Sequence, residues 1–412
     1  MRYISEEKLI LEIDAFDRTK IERRMGEGGF STISRFEMFI WDLEIFLQLQ
    51  YRLGNSIILK GGAAAQFYIP ISYQRTSVDI DMICTVPREE LHAALADIET
   101  ELGGEGDYCK FKAHKPKNPK LDLRTLDTFF MKVPSICNEN ELYASRGEQE
   151  IKVEVMYSDR AYDITQIRSP NLFALETNRE FRILSLESLF ADKLTTLGPT
   201  TIGIGDDRSD EQFKQIYDLI SMFTANVEQI ISQKDRIKEC YRTAATGECQ
   251  FRDIAYEHDL LYRDMTTIIG RVKGIENDSS LLQLANDFQS LYLRKSANRD
   301  KAQWAIAGYT LELLIEYFFR DDPRILRYRD IEALIEKTRF NDIRDPERGR
   351  LLGELRNALV SRFGTLSVIS PDLMKKRLDR IIWELASVVQ YEAIENCIMG
   401  IVTKSQCGGV TS

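Results

Sequence analysis

Apolar side chains at Phe36, Phe39, Ile40, Leu43, Phe46 and Leu47 recur at the three- and four-residue spacing of a helix. The pattern predicts an amphipathic helix that stops near Gly54. A short apolar run, Ser56 to Leu59, follows and breaks at Lys60-Gly61-Gly62, which reads as a strand running into a tight turn. Ala63 to Tyr68 returns to helix, and Val78–Val86 and Ile151–Met156 read as further strands. Ser185 stands where it can cap a helix from Leu186 to Leu197, whose apolar stripe is Leu186, Leu189, Phe190, Leu194 and Leu197. Helix, strand, turn, helix and strand in this order predict an α/β unit.

Proline marks the change to a second regime. Seven of the ten prolines stand at or before Pro199, and none occurs between Pro199 and Pro323, which suits long helices. Leu282–Phe318, Ile331–Thr338, Leu351–Phe363 and Leu373–Met399 carry apolar residues every three or four positions and predict a helical bundle behind the mixed front half.

The length of 412 residues allows two or three folded units, and a 43% hydrophobic content supplies their cores. No run of 18 apolar residues occurs, and Glu6 and Glu7 stand where a secretory signal would be apolar, so the expectation is a cytoplasmic protein without a membrane partner. A net charge of −10 excludes a globally basic nucleic-acid coat. One basic segment remains (Lys110, Lys112, His114, Lys115, Lys117, Lys120 and Arg124), suited to a polynucleotide backbone or to a solvated loop. Seven cysteines without a C-x-x-C pair exclude the common zinc-ribbon spacings and suit reduced thiols, and three histidines are too few for a histidine-rich metal site.

The densest chemistry runs from Ile57 to Asp81. In a strand, Asp79 and Asp81 project from one face, about 6.5 Å apart, while Val78, Ile80 and Met82 take the opposite, buried face. Two carboxylates so placed can hold the divalent ions that clamp a phosphoryl displacement; a half-exposed edge strand presents the same pattern. Gly61-Gly62 can turn backbone N–H groups towards phosphate, or serve a turn that needs a positive φ. Arg75 and Ser77 add a cation and a hydroxyl suited to a triphosphate. Glu154 shares a polar strand face with Lys152 and can supply a base beside a metal-binding pair. Lys193 falls on the apolar stripe of its helix, where a lysine calls for a phosphate or carboxylate partner unless it snorkels out. Asp218, four residues after Lys214, reads as an exposed helical ion pair on the polar side of Phe213, Ile216, Tyr217 and Ile220.

Leu59-Lys60-Gly61-Gly62, twelve further residues and then Arg75-x-Ser77-x-Asp79-Ile80-Asp81 together resemble the first motif of the AbiEii/AbiGii-type nucleotidyltransferase toxins, within the DNA polymerase β-like superfamily. Lys152-Val-Glu154-Val is similar to the third-carboxylate strand of that family, and Ala191-Asp192-Lys193-Leu194 to its lysine motif. Arg208 followed by Lys214-Gln215-Ile216-Tyr217-Asp218-Leu219 resembles its closing arginine and Lys-Asp-x-Tyr-Asp-Leu motif, with Gln215 as a departure. The resemblance implies an α+β fold: a polymerase β-like nucleotidyltransferase core, a small mixed sheet flanked by helices, with N-terminal helices in residues 1–225. Periodicity alone supports a helical C-terminal domain over 226–402, followed by a flexible tail over 403–412.

By the same resemblance, Asp79 and Asp81, with Glu154, hold magnesium or manganese. Lys193 contacts a nucleotide phosphate, and Asp218 is a catalytic acid or base. Gly61, Gly62, Arg75, Ser77 and Arg208 lie at the nucleotide. The implied activity is transfer of a nucleotide from an NTP to an acceptor, RNA and in particular the 3′ end of tRNA, by a toxin that a cognate antitoxin neutralises in a type IV toxin–antitoxin or phage-defence system. Two alternatives share the motifs: a nucleotidyltransferase acting on a small molecule such as an aminoglycoside, and a nucleotide-sensing protein with a degenerate site, for which Gln215 is the best support.

Overall fold

Residues 4–103, 107–114, 125–137, 150–338, 345–366 and 375–407 are described by a computed structural model. Its seven strands are β1 (Ile57–Lys60), β2 (Asp79–Cys84), β3 (Phe111–Ala113), β4 (Leu126–Lys132), β5 (Glu150–Tyr157), β6 (Ile164–Arg168) and β7 (Glu180–Leu184). They form one sheet in the order β3-β4-β5-β2-β1-β7-β6. β1 runs antiparallel to β2 and parallel to β7, and β2 runs parallel to β5, so the sheet is mixed as expected.

Among the described residues the helices of this part are α1 (Arg18–Gly28), α2 (Ile33–Leu53), α3 (Gly61–Ala65), α4 (Arg88–Leu102), α5 (Leu186–Thr195), α6 (Ser209–Ala225), α7 (Val227–Ser232) and α8 (Lys234–Phe251). α2 is the central support. Phe36, Phe39, Ile40, Leu43 and Phe46 are all buried, and the helix packs against β1, β2 and β5. Two of its buried acids accept hydrogen bonds from neighbouring segments. Glu37 accepts from Cys137 N at 2.9 Å and Ser135 Oγ at 2.8 Å, and Glu44 accepts from Leu11 N at 2.8 Å. Ser185 caps α5 as its position predicts, accepting from Ser188 N.

The chain divides into two units, Met1–Glu257 with Gln283–Asn298, and His258–Leu282 with Arg299–Ser412. The boundary expected at residue 225 is therefore displaced to Glu257, because α8 buries Ile237, Tyr241, Ala245 and Cys249 and packs on α5. The helices that follow are α9 (His258–Lys273), α10 (Ser279–Tyr292), α11 (Lys301–Arg320), α12 (Tyr328–Lys337), α13 (Asp345–Phe363), α14 (Leu378–Ala386) and α15 (Tyr391–Cys407). The periodic stretch Leu282–Phe318 is two helices, not one, because Asp300 and Gln303 form a capping box that starts α11 afresh. α15 runs on to Cys407, so the expected tail from residue 403 begins as helix, and residues 408–412 lie outside the described residues. Within the second unit, the buried Arg380 donates to Glu384 Oε2 at 2.7 Å and stands over the Tyr309 ring. Among the described residues no helix is long and apolar enough to cross a membrane.

Candidate active site

Strand register builds a polar row across four strands. Lys60 on β1 is the register partner of Asp81 on β2, Asp81 of Glu154 on β5, and Glu154 of Thr128 on β4. Register partners lie about 4.8 Å apart and point to the same face of a sheet. Asp79 sits two residues before Asp81 on that face and pairs in register with Lys152. The side chains join along the row. Lys152 Nζ is 2.9 Å from Glu154 Oε2, and Thr128 Oγ1 donates to Glu154 Oε1 at 3.4 Å. Lys60 Nζ is 3.4 Å from Asp192 Oδ1 on α5.

Two groups in the row titrate far from their usual ranges. Burial pushes Asp81 up to about 7, helped by the neighbouring Glu154 and Asp79 carboxylates and opposed by Lys60 and Lys193. Burial works to lower the Lys60 pKa, but Asp192, Asp81 and Glu248 outweigh it and hold the ammonium above its usual range. A divalent cation between Asp79 and Asp81 would relieve the repulsion among the neighbouring carboxylates. Asp79 and Asp81 fit that need. Both Glu154 oxygens are already engaged, and among the described residues no three carboxylate, histidine or cysteine side chains converge on one point that could hold an ion.

The Gly-Gly turn is shaped by its neighbours. Gly61 has φ +71°, and a Cβ there would collide with the Asp81 carboxylate. A Cβ on Gly62 would stand 2.8 Å from Arg75 Nη2 and 3.0 Å from Ser77 Oγ. The positive φ that the sequence allowed is thus present at Gly61, and both glycines give room to the acid strand and its preceding loop.

Lys193 and Asp218 meet. Lys193 Nζ is 2.8 Å from Asp218 Oδ2 and donates to Gln215 Oε1 at 2.7 Å, with the lysine 2% and the aspartate 0% exposed. Arg75 closes the network from the other side, with Nε and Nη2 each 2.7 Å from the two Asp218 oxygens. Two expectations are corrected here. Asp218 is not an exposed partner of Lys214, because the second half of α6 is buried on every side from Ile216 to Phe223. Arg75 is committed to Asp218 and to Thr76 O rather than presented to a triphosphate. Burial alone would raise the Asp218 pKa, yet Arg75 and Lys193 hold it below its usual value. A carboxylate with both oxygens bound in this way positions its partners; it is poorly suited to move protons. Gln215, the departure from the motif, supplies a neutral acceptor to Lys193.

The remaining expected residues are dispersed. Ser77 is buried beside Gly62, with Oγ 3.5 Å from Asp79 O. Arg208 is half exposed, and its guanidinium pairs with Glu211 at 3.5 Å. Of the basic segment, Lys112 pairs with Asp107 at 3.2 Å, and Lys115, Lys117, Lys120 and Arg124 lie outside the described residues.

Two site residues went unrecognised in the sequence. Lys60 was visible within the motif but gains its role only from pairing with Asp81. Asp42, in the middle of the apolar α2, is 1% exposed, and neither of its oxygens has a hydrogen-bond partner. Burial raises its pKa well above the usual value, with Asp79 and Asp81 adding to the shift. An acid between Trp41 and Leu43 in a helix buried almost throughout was the signal that could have found it.

The family model described as "Nucleotidyl transferase AbiEii toxin, Type IV TA system" matches residues 46–294. Among solved structures, JHP933 from Helicobacter pylori is similar at 14% identity and a TM-score of 0.34, covering 74% of this chain and 99% of that one. MenT4, a nucleotidyltransferase toxin from Mycobacterium tuberculosis H37Rv, is similar at 12% identity and a TM-score of 0.39, covering 74% of this chain and 98% of that one. No curated protein matches the chain.

Proposed function

The chain belongs to the AbiEii nucleotidyltransferase toxin family, and from that premise we propose that it transfers a nucleoside monophosphate from an NTP to RNA, the 3′ end of tRNA foremost, with magnesium as cofactor. The observation that carries this reading is the row Lys60, Asp81 and Glu154, with Asp79 beside it on the same sheet face. A divalent ion held by Asp79 and Asp81, with Glu154 next to them, would neutralise triphosphate charge and polarise the α-phosphate.

The protein's own groups do the rest. Lys193 uses two of its three N–H donors on Asp218 and Gln215 and keeps the third for a phosphate oxygen. Gly61, Gly62 and Ser77 line the turn where the triphosphate approaches. Glu154, once the long 3.4 Å contact from Thr128 Oγ1 gives way, takes the proton of the acceptor hydroxyl as that hydroxyl's oxygen attacks the α-phosphorus in line; the bond to the bridging oxygen breaks and pyrophosphate leaves. The type IV toxin–antitoxin description of the family supports a cognate antitoxin as the partner that restrains this activity.

The test incubates the purified chain with each labelled NTP, magnesium and total RNA, with Asp81→Ala in parallel. Label entering RNA with the wild type and not with the variant supports the reading. Pyrophosphate release that depends on a small hydroxyl compound and never on RNA would transfer it to the small-molecule alternative. Nucleotide binding without turnover on any acceptor would leave only the sensing alternative.

A further inference from the structure

The segment Gln283–Asn298 returns to the first unit and holds the loop between Arg75 and Ser77. The Tyr292 carbonyl accepts from Thr76 N at 3.1 Å and from Thr76 Oγ1 at 3.3 Å. The ring of the same tyrosine gathers two cations. Arg35 Cζ lies 4.3 Å from the ring centroid while its Nη1 donates to the Tyr292 hydroxyl at 2.7 Å, and Lys214 Nζ lies 4.5 Å from that centroid. Two residues further on, Arg294 Cζ stands 5.3 Å over the Phe30 ring, and its Nε is buried without a hydrogen-bond partner.

Among the described residues no carboxylate pairs with Arg35, Lys214 or Arg294. Several partly exposed cations elsewhere in the unit do find one: Arg52 meets Glu101, Arg88 meets Asp127 and Lys152 meets Glu154. In a chain with ten more acids than bases, three neighbouring cations left without an acid are out of keeping with their surroundings. Aromatic faces fix all three heads and strip part of their water, which strengthens their pull on an anion.

We propose that Arg35, Lys214 and Arg294 form a phosphate-binding subsite that is tied to the acid strand through Thr76 and Tyr292. The proposal rests on the nucleotidyltransferase reading and names a place in it for a phosphate group, supplied either by the triphosphate tail of the NTP or by the backbone of the polynucleotide acceptor. All three side chains are only partly exposed, so a phosphate that reaches them from solvent would meet charge-assisted contacts.

The experiment uses the full chain, the neutral double variant Lys214→Gln/Arg294→Gln and the charge-keeping double variant Lys214→Arg/Arg294→Lys, each checked by thermal unfolding. Binding of the four NTPs with magnesium, and of a labelled single-stranded RNA oligonucleotide, is measured over a range of salt. The neutral variant should lose about tenfold or more in affinity for one ligand, and the charge-keeping variant should retain it. Loss for NTP alone identifies the triphosphate tail; loss for RNA, with a salt slope shallower by about two, identifies the acceptor backbone. A neutral variant that binds both ligands like the wild type overturns the subsite and leaves the transferase reading intact. So does a charge-keeping variant as weak as the neutral one, since packing and not charge is then responsible. A wild-type chain that binds RNA but no NTP removes the transferase reading, and the RNA comparison alone then decides the subsite. A wild type that binds neither ends both.

Discussion

Asp81 and Glu154 are register partners on neighbouring parallel strands, although among the described residues a helix and two strands lie between them along the chain. Their side chains share one face, and the proximity of the two acids is one of the reasons Asp81 titrates near 7. Removing one charge should therefore release the other. In Glu154→Gln the Asp81 midpoint should move down from about 7, as read by carboxyl NMR titration in metal-free buffer. An unmoved midpoint would show that the Glu154 charge does not reach Asp81.

Gly61→Ala should damage the site more than the fold. The added methyl group meets the Asp81 carboxylate, and φ +71° is costly for alanine. The strain corresponds to about 1–2 kcal/mol of stability, while displacement of Asp81 should remove nucleotidyl transfer almost entirely. Urea unfolding and a turnover assay on one preparation separate the two effects; a variant with normal turnover would mean that Asp81 does not act from this position.

Asp218→Ala should be among the most destabilising single changes in the first unit. It leaves Arg75 and Lys193 buried without their counter-charge, a loss of about 3–5 kcal/mol. Lys193→Met keeps the Arg75–Asp218 pair and should cost less stability while still abolishing transfer. Denaturant midpoints of the two variants give the order directly.

The same network sets a pH dependence. The folded-state pKa of Asp218 lies below its ordinary value of 3.8, so its contribution to stability is complete above that value and is lost as pH falls through the lower, folded-state one. Wild-type stability should drop on acidification below about pH 4, and Asp218→Asn should flatten that limb. Thermal unfolding between neutral and acid pH, with both proteins side by side, reads it.

Asp42→Asn should behave in the opposite way. A carboxyl whose folded pKa is raised is stable in the fold when protonated, so its contribution falls as pH rises from its ordinary value of 3.8 towards the folded one. The amide carries no charge to bury, and at neutral pH the variant should match or exceed the wild type by about 1–3 kcal/mol, with the gain shrinking near pH 4. A large loss of stability at neutral pH would mean that the Asp42 oxygens have a partner that holds them charged.

Local signals made part of this molecule readable from the chain alone. The run from Ser56 through Gly62 to Tyr68, the acids at Asp79 and Asp81 and the Ser185 cap depend on spacings of two to four residues, and each stands where the pattern put it within a residue or two. Lys193 on an apolar stripe announced a buried anionic partner for the same reason, since the energy of a buried ammonium is a local fact. The identity of that partner was not local. Asp218 looked exposed because α6 carries a polar side, and only the packing of the β1–α3 turn, the Arg75 loop and α5 around it turned that side inward. Arg75 was drawn from the nucleotide to Asp218 by the same enclosure, because an ion pair shut away from water outweighs an exposed contact. The row Lys60, Asp81, Glu154 and Thr128 depends on which strands lie side by side and in what register, and hydrogen-bond ladders between distant segments decide that without leaving a periodic trace in any one of them.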